Sequence, residues 1–137
     1  MDAILSTLAT GIPVLIAQFA TTLAILAAGA ACYMALTPFH ETALIRDGNT
    51  AAGVVLGGTL VALAIPLAAT LATSRVTLDI LIWGLVAMIL QLLVFVATAA
   101  LFRDLRGAIE RGNLGAAIAL VGVQVSVALL NAGAMAG

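Results

Sequence analysis

The residues of this chain that could do chemistry are few, and their spacing keeps them apart. His40 is the only histidine, and Glu41 follows it directly, the one place where an imidazole and a carboxylate adjoin. General acid–base catalysis needs two such groups converging on one reacting atom, whereas neighbours on a helix point apart. Cys32 is the only cysteine, so no disulfide or thiolate metal site can form within one chain. It reads as a small buried hydrophobe. No constellation suits a metal or cofactor, so none is expected, and neither is enzymatic activity.

The remaining polar groups within apolar stretches are amides and hydroxyls: Gln18, Thr21, Thr22, Gln91, Gln124, Ser126 and Asn131. No Asp, Glu, Lys, Arg or His falls near the middle of any apolar run, and Asp79 stands only at the start of one. Ion-coupled carriers place ionisable groups at mid-depth, so proton-driven transport is disfavoured. Buried amides have two uses. They hydrogen-bond between helices, at about 0.6–2 kcal/mol each, or they line a polar path through a bundle or between subunits. Gln91 and Gln124 stand at equal depth, as do Gln18 and Asn131 nearer the opposite face; spacing leaves both uses open.

One short word occurs twice. Ile45-Arg46-Asp47-Gly48-Asn49 recurs, 64 positions on, as Ile109-Glu110-Arg111-Gly112-Asn113. Gly48 and Gly112 suit the left-handed residue that ends a helix, and Asn49 and Asn113 suit the cap of the next one. A ligand or ion role for the asparagines is compatible with capping. The flanking charges are exchanged between copies, so a twofold relation between them predicts a reciprocal clasp, Arg46 with Glu110 and Asp47 with Arg111. Separately solvated charges are the plainer alternative.

The elements that position these groups follow from composition. The chain has 137 residues, 64% hydrophobic and 8% charged, with mean hydropathy +1.28. That is too little polar surface to coat a soluble globule. Without water, a backbone must be helical or in a closed barrel, and continuous apolar runs without period-two alternation select helices. Five Arg, no Lys and six acids give net charge −1, leaving no basic surface for nucleic acid. Membrane lipids are the expected partners.

Runs of roughly 20–25 residues, enough for about 30 Å of hydrocarbon, fall at Ile12 to Leu36, Thr50 to Thr73, Leu78 to Phe102 and Leu114 to Ala136. The expected fold is all-α: a polytopic membrane protein with four transmembrane helices. These form two parallel two-helix repeats, about 12–73 and 78–136, within a single membrane domain 1–137. Asp2 to Gly11 is expected at the interface or as an extension of the first helix. Asp2 is the only charge there, which argues against a signal peptide.

Arg46, Arg103, Arg106 and Arg111 lie in the first and third junctions and only Arg75 in the second. The positive-inside rule then places the first and third junctions in the cytoplasm and both termini outside. Thr37-Pro38 reads as an N-cap with proline at the first helical position, opening a short amphipathic helix with Phe39, Ala43 and Leu44 on one face. A second such helix is expected over Arg103 to Arg111, with Leu105, Ala108 and Ile109 together. Gly53 with Gly57 and Gly58, and Gly115 with Ala119 and Gly122, form small-residue faces suited to close helix packing. Pro66 is expected to kink the second span or free a carbonyl.

The Gly-Asn words, Thr37-Pro38-Phe39-His40-Glu41, Trp83-Gly84 with Gln91-Leu92-Leu93-Val94-Phe95, and Leu129-Leu130-Asn131-Ala132 together resemble the bacterial inner-membrane family called domain of unknown function 350. The resemblance covers nearly the whole chain from the first span onward. It implies a small four-helix inner-membrane protein with a duplicated two-helix unit and an envelope-related role in membrane stress, lipid handling or scaffolding. It implies no catalytic or binding residue. The expected function is therefore structural: a homo-oligomeric bundle that organises lipid or recruits a membrane or cytoplasmic protein. An oligomeric channel with an amide-lined path is the alternative.

Overall fold

The computed structural model describes residues 1–137 and is helical throughout: α1 (Asp2–Leu36), α2 (Glu41–Arg46), α3 (Thr50–Thr73), α4 (Thr77–Leu101), α5 (Leu105–Glu110) and α6 (Leu114–Ala136). Four of these are long and apolar enough to cross a membrane. Their bounds match the apolar runs to within a residue, except that α1 begins ten residues earlier than the first run and continues through Pro13. At about 1.5 Å per residue α1 is roughly 52 Å long, well beyond a hydrocarbon layer of about 30 Å. Residues 1–17 are exposed.

Helix ends explain the short elements. Thr37 is not the expected N-cap: it closes α1, its N–H donating to the Tyr33 carbonyl. Pro38 follows, keeping the chain extended before it, and α2 starts only at Glu41 with His40 as its cap. The inward face of α2 also differs from expectation. Phe39 and Glu41 are buried, Leu44 is half-buried and Ala43 is exposed. In α5, Leu105 and Ile109 are buried and Ala108 half-buried, as the apolar pattern predicts.

The most extensive contact joins α3 and α6. They run parallel. Asn49, before α3, reaches the carbonyls of Ile109 and Glu110 just before α6, and Thr70 near the end of α3 lies 3.4 Å from Met135 Sδ near the end of α6. Buried residues on α6 fall at Ala117, Leu120, Gln124, Ala128 and Asn131, the three-and-four spacing of a stripe on one helix face. Helix α3 is buried on more than one side, at Ala51, Ala52, Val55, Thr59, Ala62, Leu63, Pro66, Leu67 and Thr70. The helix runs through Pro66, which is itself buried. Helix α4 packs on α1, α3 and α6, and α1 also packs on α3.

The glycines that bring backbones together are not the ones the small-residue pattern selects. Gly58 does face α6, where an added methyl would overlap the Val121 side chain. Gly57 and Gly122 meet nothing, Gly115 meets only the Asn113 side chain, Gly53 meets Ile45 of α2 at 4.0 Å, and Ala119 is exposed. The other close approaches between long helices are at Gly29 against Met88 and Gly84 against Ile25 and Leu67. Period alone does not say which side of a helix faces protein. Cys32 likewise lies exposed on the lipid-facing side of α1 rather than buried.

Gly58→Ala should therefore destabilise the bundle by about 1–3 kcal/mol, because β-branched Val121 is stiff at χ1 and cannot yield freely. Gly57→Ala, in open space, should be neutral or stabilising by up to about 1 kcal/mol. Unfolding equilibria in lipid bicelles compare the two; equal effects would mean that α3 and α6 do not meet at Gly58.

Candidate functional site

Each Gly-Asn word folds into one corner made of two overlapping caps. Gly48 and Gly112 have positive φ, +85° and +76°. Their N–H groups donate to Ile45 O (3.0 Å) and Ile109 O (2.9 Å), while the N–H groups of Asn49 and Asn113 reach back to Leu44 O and Ala108 O, both 2.9 Å. This is a Schellman ending in which the last residue also starts the next helix. The Asn49 and Asn113 side-chain oxygens accept from the N–H groups of Ala52 and Ala116, both at 3.0 Å, satisfying donors that a helix start leaves free.

The two corners differ in one respect. Asn49 Nδ2 donates to Ile109 O at 2.8 Å and to Glu110 O at 3.3 Å, so one side chain caps α3 and ties it to the carbonyl end of α5. Asn113 is exposed and makes no such tie. Nor does the reciprocal charge clasp form. Glu110 pairs with Arg106 at 2.8 Å and Arg111 with Asp104 at 3.2 Å, while Arg46 and Asp47 are exposed and in no ion pair. Asp47, Glu110 and Arg111 nevertheless border one surface cleft of about 400 Å³, shared with Leu44, Thr50, Gly48, Asn49 and Gly112. Partners four residues apart on a helix meet without ordering a second segment, which favours the local pair.

The amides are internal. Gln91 Nε2 donates to the Gln124 main-chain carbonyl at 2.7 Å, a fully buried bond between α4 and α6. The pair separates two apolar clusters. One, at the corner end, contains Tyr33, Phe39, Val55, Phe95 and Leu120; the other holds Ile25, Leu63, Leu67, Ile80 and Met88. Gln18 is half-buried and its Nε2 lies 3.5 Å from Arg75 O in the α3–α4 turn. Asn131 is buried, with its Nδ2 unpartnered.

Asn131 lines an open cleft of about 560 Å³ at the end of the bundle away from the corners, with Thr70, Thr73, Ser74, Asp79, Trp83 and others around it. A carboxylate, an indole face and amide and hydroxyl donors suit a ligand bearing both a cation and an anion. Trp at a helix end is typical of the headgroup layer. Of these residues, the sequence singled out Asn131 as an amide for packing or for a polar path, Asp79 as a charge at the start of a span and Trp83 within the family resemblance, but did not bring them together.

Glu41 was weighed in the sequence only as a neighbour of His40, and its burial was missed. It is 2% exposed, with Tyr33 at 0% and Thr59 at 2% beside it. Thr37 Oγ1 donates to Glu41 Oε2 at 3.1 Å, but Glu41 Oε1, the Tyr33 hydroxyl and Thr59 Oγ1 have no hydrogen-bond partner within 3.5 Å. The Tyr33 hydroxyl faces both Glu41 and Thr59, and the Tyr33 ring packs edge-on against Phe95, 4.8 Å between centroids. His40, the cap before α2, is exposed while Glu41 is buried. The signal available in sequence was the offset of 64 that aligns the two words: Tyr33, Thr37, Glu41 and Thr59 fall opposite Ala97, Leu101, Leu105 and Val123.

Asn49→Ala should cost about 2 kcal/mol, a lost cap plus a lost tie, against about 1 kcal/mol for Asn113→Ala. Asn49→Asp keeps the capping oxygen but removes the donor and sets a carboxylate against two carbonyls, so it should also destabilise, while Asn113→Asp should be near neutral. The same unfolding measurement reads all four, and equal costs at the two positions would contradict the tie.

Comparison with known proteins places this architecture. Residues 7–135 match the family model described as Domain of Unknown Function (DUF350). The chain is 31% identical over 103 residues to the UPF0719 inner membrane protein YjfL of Escherichia coli strain K12, covering 75% of this chain and 78% of that protein. The O157:H7 counterpart matches to the same extent. No solved structure matches. Four spanning helices and a family match over nearly the whole chain lead to one conclusion: the protein is a membrane protein of the DUF350 family.

Proposed function

We propose that the protein is a non-catalytic, self-associating bundle of the bacterial inner membrane that organises lipid in the envelope. The observation that carries this reading is the cleft of about 560 Å³ at the helix ends. Its size suits a small ligand or headgroup. A zwitterionic phospholipid headgroup matches its chemistry, the ammonium against Trp83 and Asp79 and the phosphate against the Asn131 amide and the Thr73 and Ser74 hydroxyls.

Several features support the setting. The name of the Escherichia coli relative favours the inner membrane, and the arginine excess at the corner end favours that end as cytoplasmic, which puts both termini and the cleft on the outer side. The matching corners support descent from a duplicated two-helix unit. Absence of a converging acid and base around His40 supports a non-enzymatic role. The exposed first half of α1, which extends past the α3–α4 turn where Gln18 sits, is surface available to further copies, and the exposed Arg46 and Asp47 are available to a cytoplasmic partner. The burial of Gln91 and Gln124 within one chain weighs against the alternative, an oligomeric channel whose path those amides line.

Protein extracted in mild detergent should retain a phospholipid with an ethanolamine headgroup in preference to a glycerol headgroup, read by native mass spectrometry together with the number of copies. Trp83→Ala and Asp79→Asn should each lower retention several-fold, and planar-bilayer recordings should be silent. Retention indifferent to headgroup and to both substitutions would refute the lipid reading, and currents altered by Gln91→Leu would favour the channel.

A further inference from the structure

We infer that Glu41, Tyr33, Thr59 and Thr37 form a binding site for a small alkali cation of the Na⁺ class at the corner end of the bundle. A carboxylate buried as deeply as Glu41 needs a compensating charge or a proton. No side chain supplies the charge: Arg106 and Arg111 are engaged with Glu110 and Asp104, and Arg46, Arg103 and His40 are exposed. The groups left without partners around it are all oxygens, Glu41 Oε1, the Tyr33 hydroxyl and Thr59 Oγ1, contributed by α2, α1 and α3.

Thr59 adds an independent observation. Other hydroxyls within the long helices, at Thr21, Thr22, Thr70, Thr98 and Ser126, donate back to the carbonyl four residues earlier, the usual way of satisfying a threonine or serine in an apolar medium. Thr59 makes no such bond, and its hydroxyl faces Tyr33. A hydroxyl that forgoes its own helix in a buried setting is one held for another partner.

Ligand chemistry narrows that partner. An oxygen-only donor set selects a hard cation over zinc or copper. One carboxylate balances a single positive charge, whereas a divalent ion would leave the buried site charged. The fold does not demand the carboxylate, since Leu105, at the offset of 64, fills the corresponding place beneath α5 and is itself buried. All four polar residues have apolar counterparts in the second half, so the site belongs to the first half alone. Its occupancy would fasten α2 to α1 and α3.

The test uses the full-length protein in nanodiscs at neutral pH, with NaCl exchanged for choline chloride at constant ionic strength. Na⁺ should raise the thermal unfolding midpoint by several degrees and broaden the sodium NMR resonance. Glu41→Gln should lose both responses, and Thr59→Val should weaken Na⁺ roughly tenfold. Glu41→Leu, which mirrors Leu105, should fold, lose the Na⁺ response and be at least as stable in choline as the native chain. A native protein whose stability is the same in Na⁺ and choline overturns the inference, as does one that follows pH but ignores Na⁺, or a Na⁺ response that survives Glu41→Gln.

Discussion

The structure depends on the parallel contact between α3 and α6, fastened at one end by the Asn49 side chain. Lipid tails are as apolar as leucine, so burying apolar side chains does not by itself drive helices together in a bilayer. Close packing and hydrogen bonds must do so. Gly58 lets α6 approach α3, and small residues such as Ala52, Ala62, Ala117 and Ala128 line the rest of the seam. Asn49 Nδ2, bonded to the carbonyls that end α5, fixes the start of α3 beside the start of α6. The other helices take their places from this pair: α4 lies against both, and α1 against α3 and α4.

Polar groups in such a bundle are either satisfied locally or placed for a reason. Most hydroxyls fold back on their own helix. The bond from the Gln91 side chain to the Gln124 main-chain carbonyl joins α4 to α6 between two apolar clusters, which gives the Gln91 amide a packing role in the monomer. Gln91 Oε1 and Gln124 Nε2 are left over between the clusters, while at Glu41, Tyr33 and Thr59 near the corners and at Asn131 in the opposite cleft unpartnered atoms offer chemistry to something else. One end presents buried oxygens and the other an open cleft with a carboxylate and an indole.

What the sequence made legible was local. Helix lengths follow from hydropathy, and the corners follow from Gly and Asn side by side, because a left-handed residue and a cap are properties of a few neighbouring residues. Longer-range relations were hidden. The reciprocal clasp lost to Arg106–Glu110 and Asp104–Arg111 pairs that need no second segment to be ordered. Gly53 and Gly57 have the spacing of a packing face, yet the face is chosen by the rotation of α3 in the bundle, which favours Gly58. Glu41 resembles a headgroup charge on a short surface helix until α2 is docked; only its apolar counterpart at Leu105 hinted at burial.

The claim on which all of this rests is that α3 and α6 pair in parallel within one chain, and paired cysteines test it most directly. A Cβ placed on Gly58 lies 3.0 Å from Val121 Cβ, close to the roughly 3.5–4.5 Å that a disulfide spans. In native membranes, with Cys32 replaced by serine, Gly58→Cys combined with Val121→Cys should form an intramolecular disulfide rapidly under mild oxidation. Failure to cross-link, or cross-links formed only between chains, would contradict the pairing.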